Sequence, residues 1–460
     1  MEIIQDTIVG IATPPGEGGI SIIRMSGPAS LSILQEIFYS KRNIAPFQMK
    51  SNCLYYGWIQ TKIKRVDEVL AVIMRKPFSY TREDVVEIHC HGGMIPVRDI
   101  IHATVDRGAR IADPGEFTKR AFLHGRIDLS QAEAVMDLIR SKTDLAAQTS
   151  LEQLEGRLSS EITALQNQLL DMLAFIEVSL DYPEEDIDSI RVSELKQKVL
   201  LIEQSLQKLY ESSDTGRIIR EGLKTAIIGR PNVGKSSLLN ALLKQNRAIV
   251  TDIPGTTRDI LEESLNIKGL FIRIIDTAGI REAENMIEAL GVDRTKEAIK
   301  KADLVLFVVD ITDQLQYEDW EIIKMIDEKP CIIIGNKMDL KQRADAVVEI
   351  LFPKHWKWIE LSAKVGTGIH ELEEMIADSI FHGRVKIAEE TIISNTRHRQ
   401  VVGKAIQSLK QAIDTMDQKL PLDFVSIDIK DAWQSLGEIT GQTVVEDIID
   451  RIFSSFCLGK

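Results

Sequence analysis

The stretch GRPNVGKS, residues 229–236, fits the phosphate-binding pattern G-x-x-x-x-G-K-[ST]. The run LKTAIIG before it indicates a strand, and SSLLNALL after it indicates a helix. Backbone N–H groups of the loop and of the helix N-terminus are therefore expected to surround phosphate oxygens. Lys235 is expected to reach the β- and γ-phosphates and Ser236 to bind Mg²⁺. A chance glycine turn is the alternative. The predicted contacts of this loop are Asn232, Val233, Gly234, Lys235, Ser236 and Ser237.

Four further motifs follow in a fixed order: GTTRD at 255–259, DTAG at 276–279, NKMD at 336–339 and SAK at 362–364. Asp339 can accept hydrogen bonds from the N1–H and the exocyclic amine of guanine, which adenine does not offer in that arrangement. Thr257 is the second expected Mg²⁺ ligand. With the first loop, these motifs resemble the GTPase superfamily. The predicted nucleotide contacts here are Thr257, Asp276, Thr277, Ala278, Gly279, Asn336, Lys337, Asp339, Ser362 and Ala363.

The residue after DTAG departs from the common GTPase pattern. Many GTPases place a water-orienting glutamine there, whereas this chain has Ile280, which cannot hydrogen-bond to water. Another group must orient the nucleophile, and the segment 281–291 supplies several acids. Asn232 is the second unusual residue, because its side-chain carbonyl can bind a monovalent cation near the phosphates. The alternative for Asn232 is a plain turn residue.

The hydrophobic pattern divides the chain into four segments. Residues 1–120 mix short strands with a helix and predict a small α+β domain. Residues 121–216 and 383–460 are helical, and the leucine-rich stripe from Leu151 to Leu180 predicts one long helix. Residues 217–382 alternate strands with helices, which is typical of a doubly wound α/β domain. The expected fold is therefore multidomain, α/β plus α+β, with the P-loop GTPase domain inserted into an all-helical domain.

The end of the chain is expected to form a final helix. A capping box from Thr443 to Glu446 would begin it, and Val445, Ile448, Ile452 and Phe456 would form its buried side. The last residues are FCLGK, and Gly459 and Lys460 do not fit a prenylation signal.

The composition limits the class of protein. A net charge of −13 disfavours a general nucleic-acid coat. The basic stretch 395–400 is a local RNA-contact candidate, with a solvated helix end as the alternative. Four widely separated cysteines argue against a disulfide or zinc framework and favour the cytoplasm. No signal peptide or membrane span is expected. The stretch HCHGG, 89–93, suggests a metal site, but alternate residues of a strand face opposite sides, which favours structural or pocket-wall roles.

The whole chain resembles the MnmE (TrmE) family of tRNA modification GTPases. The most specific likenesses are PGEFTKRAFLHGRIDLSQAEAV at 114–135, the inserted GTPase segment, and EDIIDRIFSSFCLGK at 446–460. The resemblance implies an N-terminal domain that forms a homodimer and binds 5-formyl- or 5,10-methylene-tetrahydrofolate. It also implies potassium-dependent GTP hydrolysis. With an FAD-dependent MnmG-like partner, the family adds an aminomethyl or carboxymethylaminomethyl group to carbon 5 of the wobble uridine of tRNA.

The resemblance also assigns residues by motif. The expected potassium ligands are Asn232, Thr251, Ile253 and Thr256, of which Thr251 and Thr256 are also expected to contact the nucleotide. Glu288 resembles the carboxylate that orients the attacking water. The expected folate contacts are Arg24, Glu87, Arg126 and Lys460. The family more often has lysine at position 126 and Asn-Gly at 124–125, where this chain has His-Gly.

Cys457 lies in the Cys-x-Gly-Lys tail. The resemblance places it near the folate, as a nucleophile or an acid/base, and a small apolar residue closing a helix is the alternative. Two functions remain open: one half of a tRNA-modifying enzyme, or a regulatory GTPase that only controls binding to the ribosome or another partner. The folate-type domain and the cysteine tail favour the first.

Overall fold

The computed structural model describes residues 6–181, 189–246, 263–275, 288–340, 353, 355–381, 391–457 and 459, with secondary structure alone at 189–191, 245–246, 288–293 and 381. Two compact units make up the chain. One comprises Met1–Met136, Leu154–Asn167 and Trp433–Lys460, and the other Asp137–Gln153 and Gln168–Ala432.

A seven-stranded sheet forms the first part of the first unit, in the order β3-β4-β5-β6-β2-β1-β7. Neighbours in it are antiparallel except for the parallel pair β1 and β7. The strands are β1 Thr7–Ile11, β2 Gly18–Ser26, β3 Phe38–Ser40, β4 Leu54–Gln60, β5 Arg65–Met74, β6 Val85–Gly92 and β7 Ala109–Ile111. The sequence segments GISIIRMSG, CLYYGWIQ, VLAVIMRKP and DVVEIHC indicate β2, β4, β5 and β6, whereas β1, β3 and β7 were not predicted.

Helices α1, Ser30–Ile37, and α2, Met94–Val105, cover one face of this sheet. Side chains of alternate strand residues such as Ile23, Ile88 and Ala71 pack against them in one buried cluster. Since side chains alternate across a strand, the intervening residues lie on the opposite face. Arg24 and Glu87 are on that opposite face, which positions the second candidate site described below.

Helix α3, Glu116–Leu123, and the final helix share a buried cluster in the first unit. The final helix is Glu446–Ser454, and its buried face is formed by Ile449 and Phe453, with Phe456 beyond its end. The predicted buried side was wrong at Val445, which is 65% exposed, and at Ile448, which is 39% exposed. It was confirmed at Phe456, which is buried, and at Ile452, which packs against the same cluster. The predicted capping box was also wrong: Val445 is the N-cap, and the Thr443 hydroxyl instead donates to the Gln434 carbonyl at 2.8 Å.

A six-stranded sheet lies in the second unit, in the order β13-β12-β11-β8-β10-β9. All neighbours are parallel except β9, which is antiparallel to β10. The strands are β8 Leu223–Ile228, β9 Glu263–Ile267, β10 Leu270–Ile275, β11 Leu304–Asp310, β12 Cys331–Asn336 and β13 Lys357–Glu360. Separate buried clusters on its two faces confirm the predicted doubly wound α/β segment. The polar edge strand β9 and the short β13 were not predicted.

The remaining helices fall into three groups according to their position relative to the six-stranded sheet. Those associated with the six-stranded sheet are α8 Lys235–Asn246, α9 Glu288–Lys301, α10 Tyr317–Ile326 and α11 Ile369–Phe381. Those before it are α4 Leu129–Arg140, α5 Asp144–Leu154, α6 Arg157–Asp181 and α7 Ser189–Glu221, and those after it are α12 Thr396–Asp417, α13 Leu422–Thr440 and the final helix α14 Glu446–Ser454. None of the helices in the described part of the chain is both long and apolar enough to cross a membrane.

The helical segments before and after the sheet come together, because α12 packs along α7. The predicted insertion of the α/β segment into a helical domain is thereby confirmed. The single long helix predicted from Leu151 to Leu180 was wrong, since α5 ends at Leu154 and α6 begins at Arg157. Gly156 between them has φ +92°, a conformation that a right-handed helix cannot contain. The domain boundaries themselves stay a prediction.

Candidate functional site

The first candidate site lies where β8 turns into α8, at the carboxyl edge of the six-stranded sheet. Gly229 and Gly234 have φ +150° and φ +101°. A Cβ on Gly229 would lie 2.3 Å from the Val308 carbonyl oxygen, and a Cβ on Gly234 would lie 2.1 Å from the Asn336 side-chain nitrogen. Only glycine fits at either position, and the turn brings the N-terminus of α8 to the edge of the sheet.

Lys235 is the first residue of α8 and its side chain folds back over the loop. Its Nζ donates to the carbonyl oxygens of Gly229 and Arg230, each at 2.7 Å. Burial lowers the pKa of Lys235 to about 8. The ammonium group is therefore held by uncharged acceptors in a partly buried position, where phosphate oxygens would be stronger partners.

Asn336 ties the loop to two other motifs. Its side-chain nitrogen donates to the Val233 carbonyl at 2.8 Å, and its side-chain oxygen accepts from the Ala363 N–H at 3.0 Å. Asn336 ends β12 and is only 3% exposed. The structure thus brings together GRPNVGKS, NKMD and SAK, which lie far apart in the sequence.

The two charged residues of NKMD have different surroundings. Lys337, which has φ +69°, pairs through its Nζ with Asp310 Oδ2 at 2.5 Å. Asp339 is exposed and accepts from the Ser362 hydroxyl at 2.6 Å. One oxygen of the Asp339 carboxylate is therefore oriented by the SAK loop, while the side chain remains accessible to a ligand.

The remaining predicted residues of this site divide into two groups. Asn232 is exposed with φ +64°, and Ser236 and Ser237 occupy the first turn of α8. The others lie outside the described residues: Thr251, Ile253, Thr256, Thr257, Asp276, Thr277, Ala278 and Gly279. Glu288 begins α9, and its side chain is also outside the description.

A second candidate site lies on the face of the seven-stranded sheet opposite α1 and α2. Arg24 on β2 is the direct neighbour of Glu87 on β6, and the guanidinium lies 2.8 Å from Glu87 Oε1. Glu87 Oε2 lies 3.5 Å from His89 Nε2. The structure therefore joins two predicted folate-contact residues and adds His89 to them.

Aromatic rings that the sequence did not single out complete this group. The Arg24 guanidinium lies 5.6 Å from the centre of the Tyr80 ring and 5.8 Å from that of Phe117. The Arg126 guanidinium lies 4.6 Å from the centre of the same Tyr80 ring. Tyr80 thus contacts two of the predicted folate-contact arginines. The sequence feature that could have identified Tyr80 is an aromatic residue in the polar stretch SYTRED, 79–84, between two predicted strands.

Hydrogen bonds fix the segment that carries Tyr80. The Tyr80 hydroxyl lies 3.0 Å from that of Thr118, and the Ser26 hydroxyl bonds to both Thr81 and Glu83 at 2.6 Å. Arg120, which is fully buried, pairs with Glu83 at 3.2 Å. These contacts therefore fix the position of the Tyr80 ring.

The C-terminal tail reaches the same sheet. The Cys457 carbonyl accepts from the Gly115 N–H at 3.4 Å, and its thiol-bearing side chain is exposed. Gly459 has φ +86°, and a Cβ there would lie 1.9 Å from the Ile11 carbonyl oxygen. Gly10, beside Ile11, is the β1 neighbour of Arg24. The tail therefore ends one strand away from Arg24, and Lys460 lies outside the described residues.

Two weaker sequence candidates contain residues that pack or pair within the protein itself. In HCHGG, Cys90 is buried and His91 is exposed with its Nδ1 2.8 Å from Asp67, and the described residues contain no cluster suited to a metal ion. In the basic stretch 395–400, His398 is fully buried and Arg399 pairs with Asp214. Thr396 and Gln400 in this stretch are exposed, and RNA contact by it stays a prediction.

Comparisons with known proteins agree across the chain. The family model described as "MnmE helical domain" matches residues 129–457, and "GTP-binding protein TrmE N-terminus" matches residues 7–126. Proteins named "tRNA modification GTPase MnmE" are 50% identical over 462 residues in Alkaliphilus oremlandii, 47% over 461 in Alkaliphilus metalliredigens and 46% over 457 in Clostridioides difficile. Each alignment covers 99% of this chain and 100% of the relative. Because the similarity extends over both matched domains and the full length of the relatives, the chain belongs to the MnmE (TrmE) family.

Proposed function

We propose that this chain is a GTP hydrolase that acts in tRNA modification. The observation that carries the proposal is the junction at Asn336, which links the phosphate loop to the SAK loop in a member of this family. A site built this way can hold phosphates at one end and a base at the other. GTP fits better than ATP, because the exposed Asp339 carboxylate has acceptors for the two N–H groups of guanine.

The residues of the loop fit the ions that this reaction uses. The Ser236 hydroxyl, in the first turn of α8, is the hard oxygen ligand that Mg²⁺ prefers, and Thr257 would be the second protein ligand. When bound, Mg²⁺ offsets negative charge on the phosphates. The exposed Asn232 side chain would supply an oxygen to K⁺, joined by Thr251, Ile253 and Thr256. Glu288 would orient the attacking water.

The group around Arg24 is proposed to bind the one-carbon donor, 5-formyl- or 5,10-methylene-tetrahydrofolate. The Glu87 carboxylate can accept from the amino and ring N–H groups of a pterin, and the arginines can pair with the glutamate tail. Tyr80 and Phe117 provide flat apolar surfaces beside these charges. When bound, the folate would supply the carbon that becomes attached to the uridine.

Cys457 is proposed to act near this carbon, as a nucleophile or an acid/base. The support is its exposed side chain on a tail that reaches the strand beside Arg24, with Lys460 at the end of that tail. Cys457→Ser should remove the modified uridine from tRNA while GTP hydrolysis continues. Normal amounts of the modified nucleoside in that variant would leave the thiol with a structural role.

The proposed setting is a cytoplasmic homodimer that works with an FAD-dependent MnmG-like protein on carbon 5 of the wobble uridine. FAD would be on the partner. The support for the dimer is an apolar area on the sheet face opposite α1 and α2, where Tyr39, Leu54 and Leu70 are exposed beside the half-buried Tyr56 and Trp58. Exposed apolar areas of this kind are typical of protein–protein contacts.

The alternative is a regulatory GTPase with no chemistry of its own. Such a switch needs the nucleotide site but neither a pterin site nor an exposed thiol beside it. Calorimetric titration of the purified chain with 5-formyl-tetrahydrofolate separates the two, with an Arg24→Met variant as the control. Binding that Arg24→Met weakens favours the enzyme, and no binding to the wild type favours the switch.

GTP turnover in potassium and in sodium salts tests the hydrolysis proposal. Turnover should be faster in potassium, and Asn232→Ala should remove the difference. A cation that replaces an arginine finger is expected to contribute roughly 10³–10⁵ in rate. Equal turnover of the wild type in both salts would refute the potassium proposal.

A further inference from the structure

Arg230, the second residue of the phosphate loop, forms an ion pair with Asp319 in the first turn of α10. Its Nε lies 2.7 Å from Asp319 Oδ2, and its Nη2 lies 3.6 Å from Asp313 Oδ2. The distance to Asp319 is that of an ion pair, although the Nε–H bond is not aligned for a hydrogen bond. The Asp319 side chain is 0% exposed and that of Arg230 is 17% exposed.

Asp319 itself is fixed to the start of α10. Its Oδ2 accepts from the Gln316 N–H at 3.0 Å, and Oδ1 is buried with no hydrogen-bond partner among the described residues. The pKa of Asp319 is raised, because the effect of burial exceeds the opposing effects of the Gln316 N–H and the Arg230 charge. A buried carboxylate without a nearby cation is strongly unfavourable. Asp319 therefore depends on Arg230 for its charge compensation.

The main chain of Arg230 contacts the phosphate-binding lysine. The Arg230 carbonyl is one of the two oxygens that accept from Lys235 Nζ, at 2.7 Å. The same residue is thus held through its side chain by α10 and holds Lys235 through its backbone. We propose that Arg230 is a positioning residue for GTP binding and hydrolysis: its pairing with Asp319 fixes the loop so that Lys235 is presented to the phosphates. This inference rests on the GTP site proposed above.

A purely structural role is the competing explanation, and removal of both charges separates the two. Arg230→Met leaves Asp319 buried without its cation, so this variant should unfold at a lower temperature. Adding Asp319→Asn removes the second charge and should restore most of the melting temperature, because buried ion pairs are often replaceable by neutral groups. The double variant would still lack the pair that fixes the phosphate loop, so Lys235 would remain misplaced.

The experiment measures melting temperature, GDP affinity and GTP kcat/KM for the wild type, Arg230→Met, Asp319→Asn and the double variant. Misplacement of catalytic groups by about 1 Å can cost on the order of 10²-fold, so kcat/KM of the double variant should fall by roughly 10- to 100-fold. GDP binding should weaken in the same direction. Asp319→Asn keeps Arg230 and its partial exposure, so it should fold and show a smaller loss than the double variant.

Lys268→Met is the matched control, because it breaks the exposed 2.8 Å pair between the β9–β10 turn and Glu374 of α11. It should leave all three quantities unchanged. Wild-type kcat/KM and GDP affinity in the double variant would overturn the inference, and so would wild-type values in Asp319→Asn if the double variant does not fold. Failure of the wild type to bind GDP would instead refute the proposed function.

Discussion

Asn336 donates to the carbonyl of Val233 at 2.8 Å, and this hydrogen bond joins the end of β12 to the middle of the phosphate loop. The other end of the same amide accepts from Ala363. One buried side chain therefore sets the distance between the part of the site suited to phosphates and the part suited to a base.

Asn336→Ala should weaken guanine-nucleotide binding. The change leaves the Val233 carbonyl and the Ala363 N–H without their partner, and each unsatisfied buried group costs about 1–3 kcal/mol. We expect the GDP Kd to rise about 30- to 100-fold, near the lower end of what the two groups together allow, because water can enter. Fluorescence titration with a labelled GDP measures it. Asn240→Ala, exposed on α8, is the control, and the same Kd for Asn336→Ala as for the wild type would contradict the role.

Asp339→Asn should change the preferred base. The substitution replaces an acceptor by a donor opposite the guanine amine, so GTP should bind more weakly. Xanthosine triphosphate, which carries an oxygen there, should bind more tightly. Competition titrations with both nucleotides give the ratio, and an unchanged preference for GTP would remove Asp339 from the base contact.

Nucleotide affinity should fall as the pH rises above about 8, the pKa to which burial lowers Lys235. In the free protein the ammonium loses its proton near this pH, whereas bound phosphates favour the charged form and keep its pKa higher. Binding above pH 8 then requires proton uptake, so affinity can fall up to about tenfold per pH unit. GDP titrations between pH 7 and pH 9 measure this. Lys324→Met, which removes an exposed lysine, should show the wild-type profile, and a flat wild-type profile would contradict the prediction.

The motifs GRPNVGKS, NKMD and SAK could be recognised because the residues of each are consecutive, and their roles in nucleotide binding stay a prediction. Each of these three motifs follows a strand of the six-stranded sheet, and the edge of a parallel sheet then brings them together. The contacts of Asn336 with Val233 and Ala363 were not predicted, since they depend on the exact end of each strand. The Arg230–Asp319 pair was also not predictable, because Arg230 lies in the phosphate loop and Asp319 in the first turn of α10, far apart in the sequence.

The periodicity of apolar residues predicted helices more reliably than helix faces or ends. In the last helix, Ile448 and Ile452 form one apolar stripe and Ile449 and Phe453 form the next, so spacing alone does not choose between them. The bulky Phe453 packs against Phe122 and Phe456, and that packing decides. The break at Gly156 was missed because the leucine stripe continues in register across it.

Tyr80→Leu should weaken binding of 5-formyl-tetrahydrofolate. The ring contacts both Arg24 and Arg126, and each such contact contributes about 0.5–2 kcal/mol. Loss of both should raise the Kd about 5-fold or more, with Leu keeping most of the apolar volume. Calorimetry measures the change. The control is Tyr317→Leu, which is 73% exposed in the other unit. Equal affinity of Tyr80→Leu and the wild type would exclude Tyr80 from the site.

The central claim is that GTP hydrolysis by this chain is required for modification of the wobble uridine. Nucleoside mass spectrometry of tRNA tests it in a strain whose only copy carries Lys235→Met, which removes the charge expected to hold the phosphates. We predict that the carbon-5-modified uridine disappears in this strain and is present with the wild type and with Lys324→Met. An undiminished amount of the modified uridine in the Lys235→Met strain would contradict the claim.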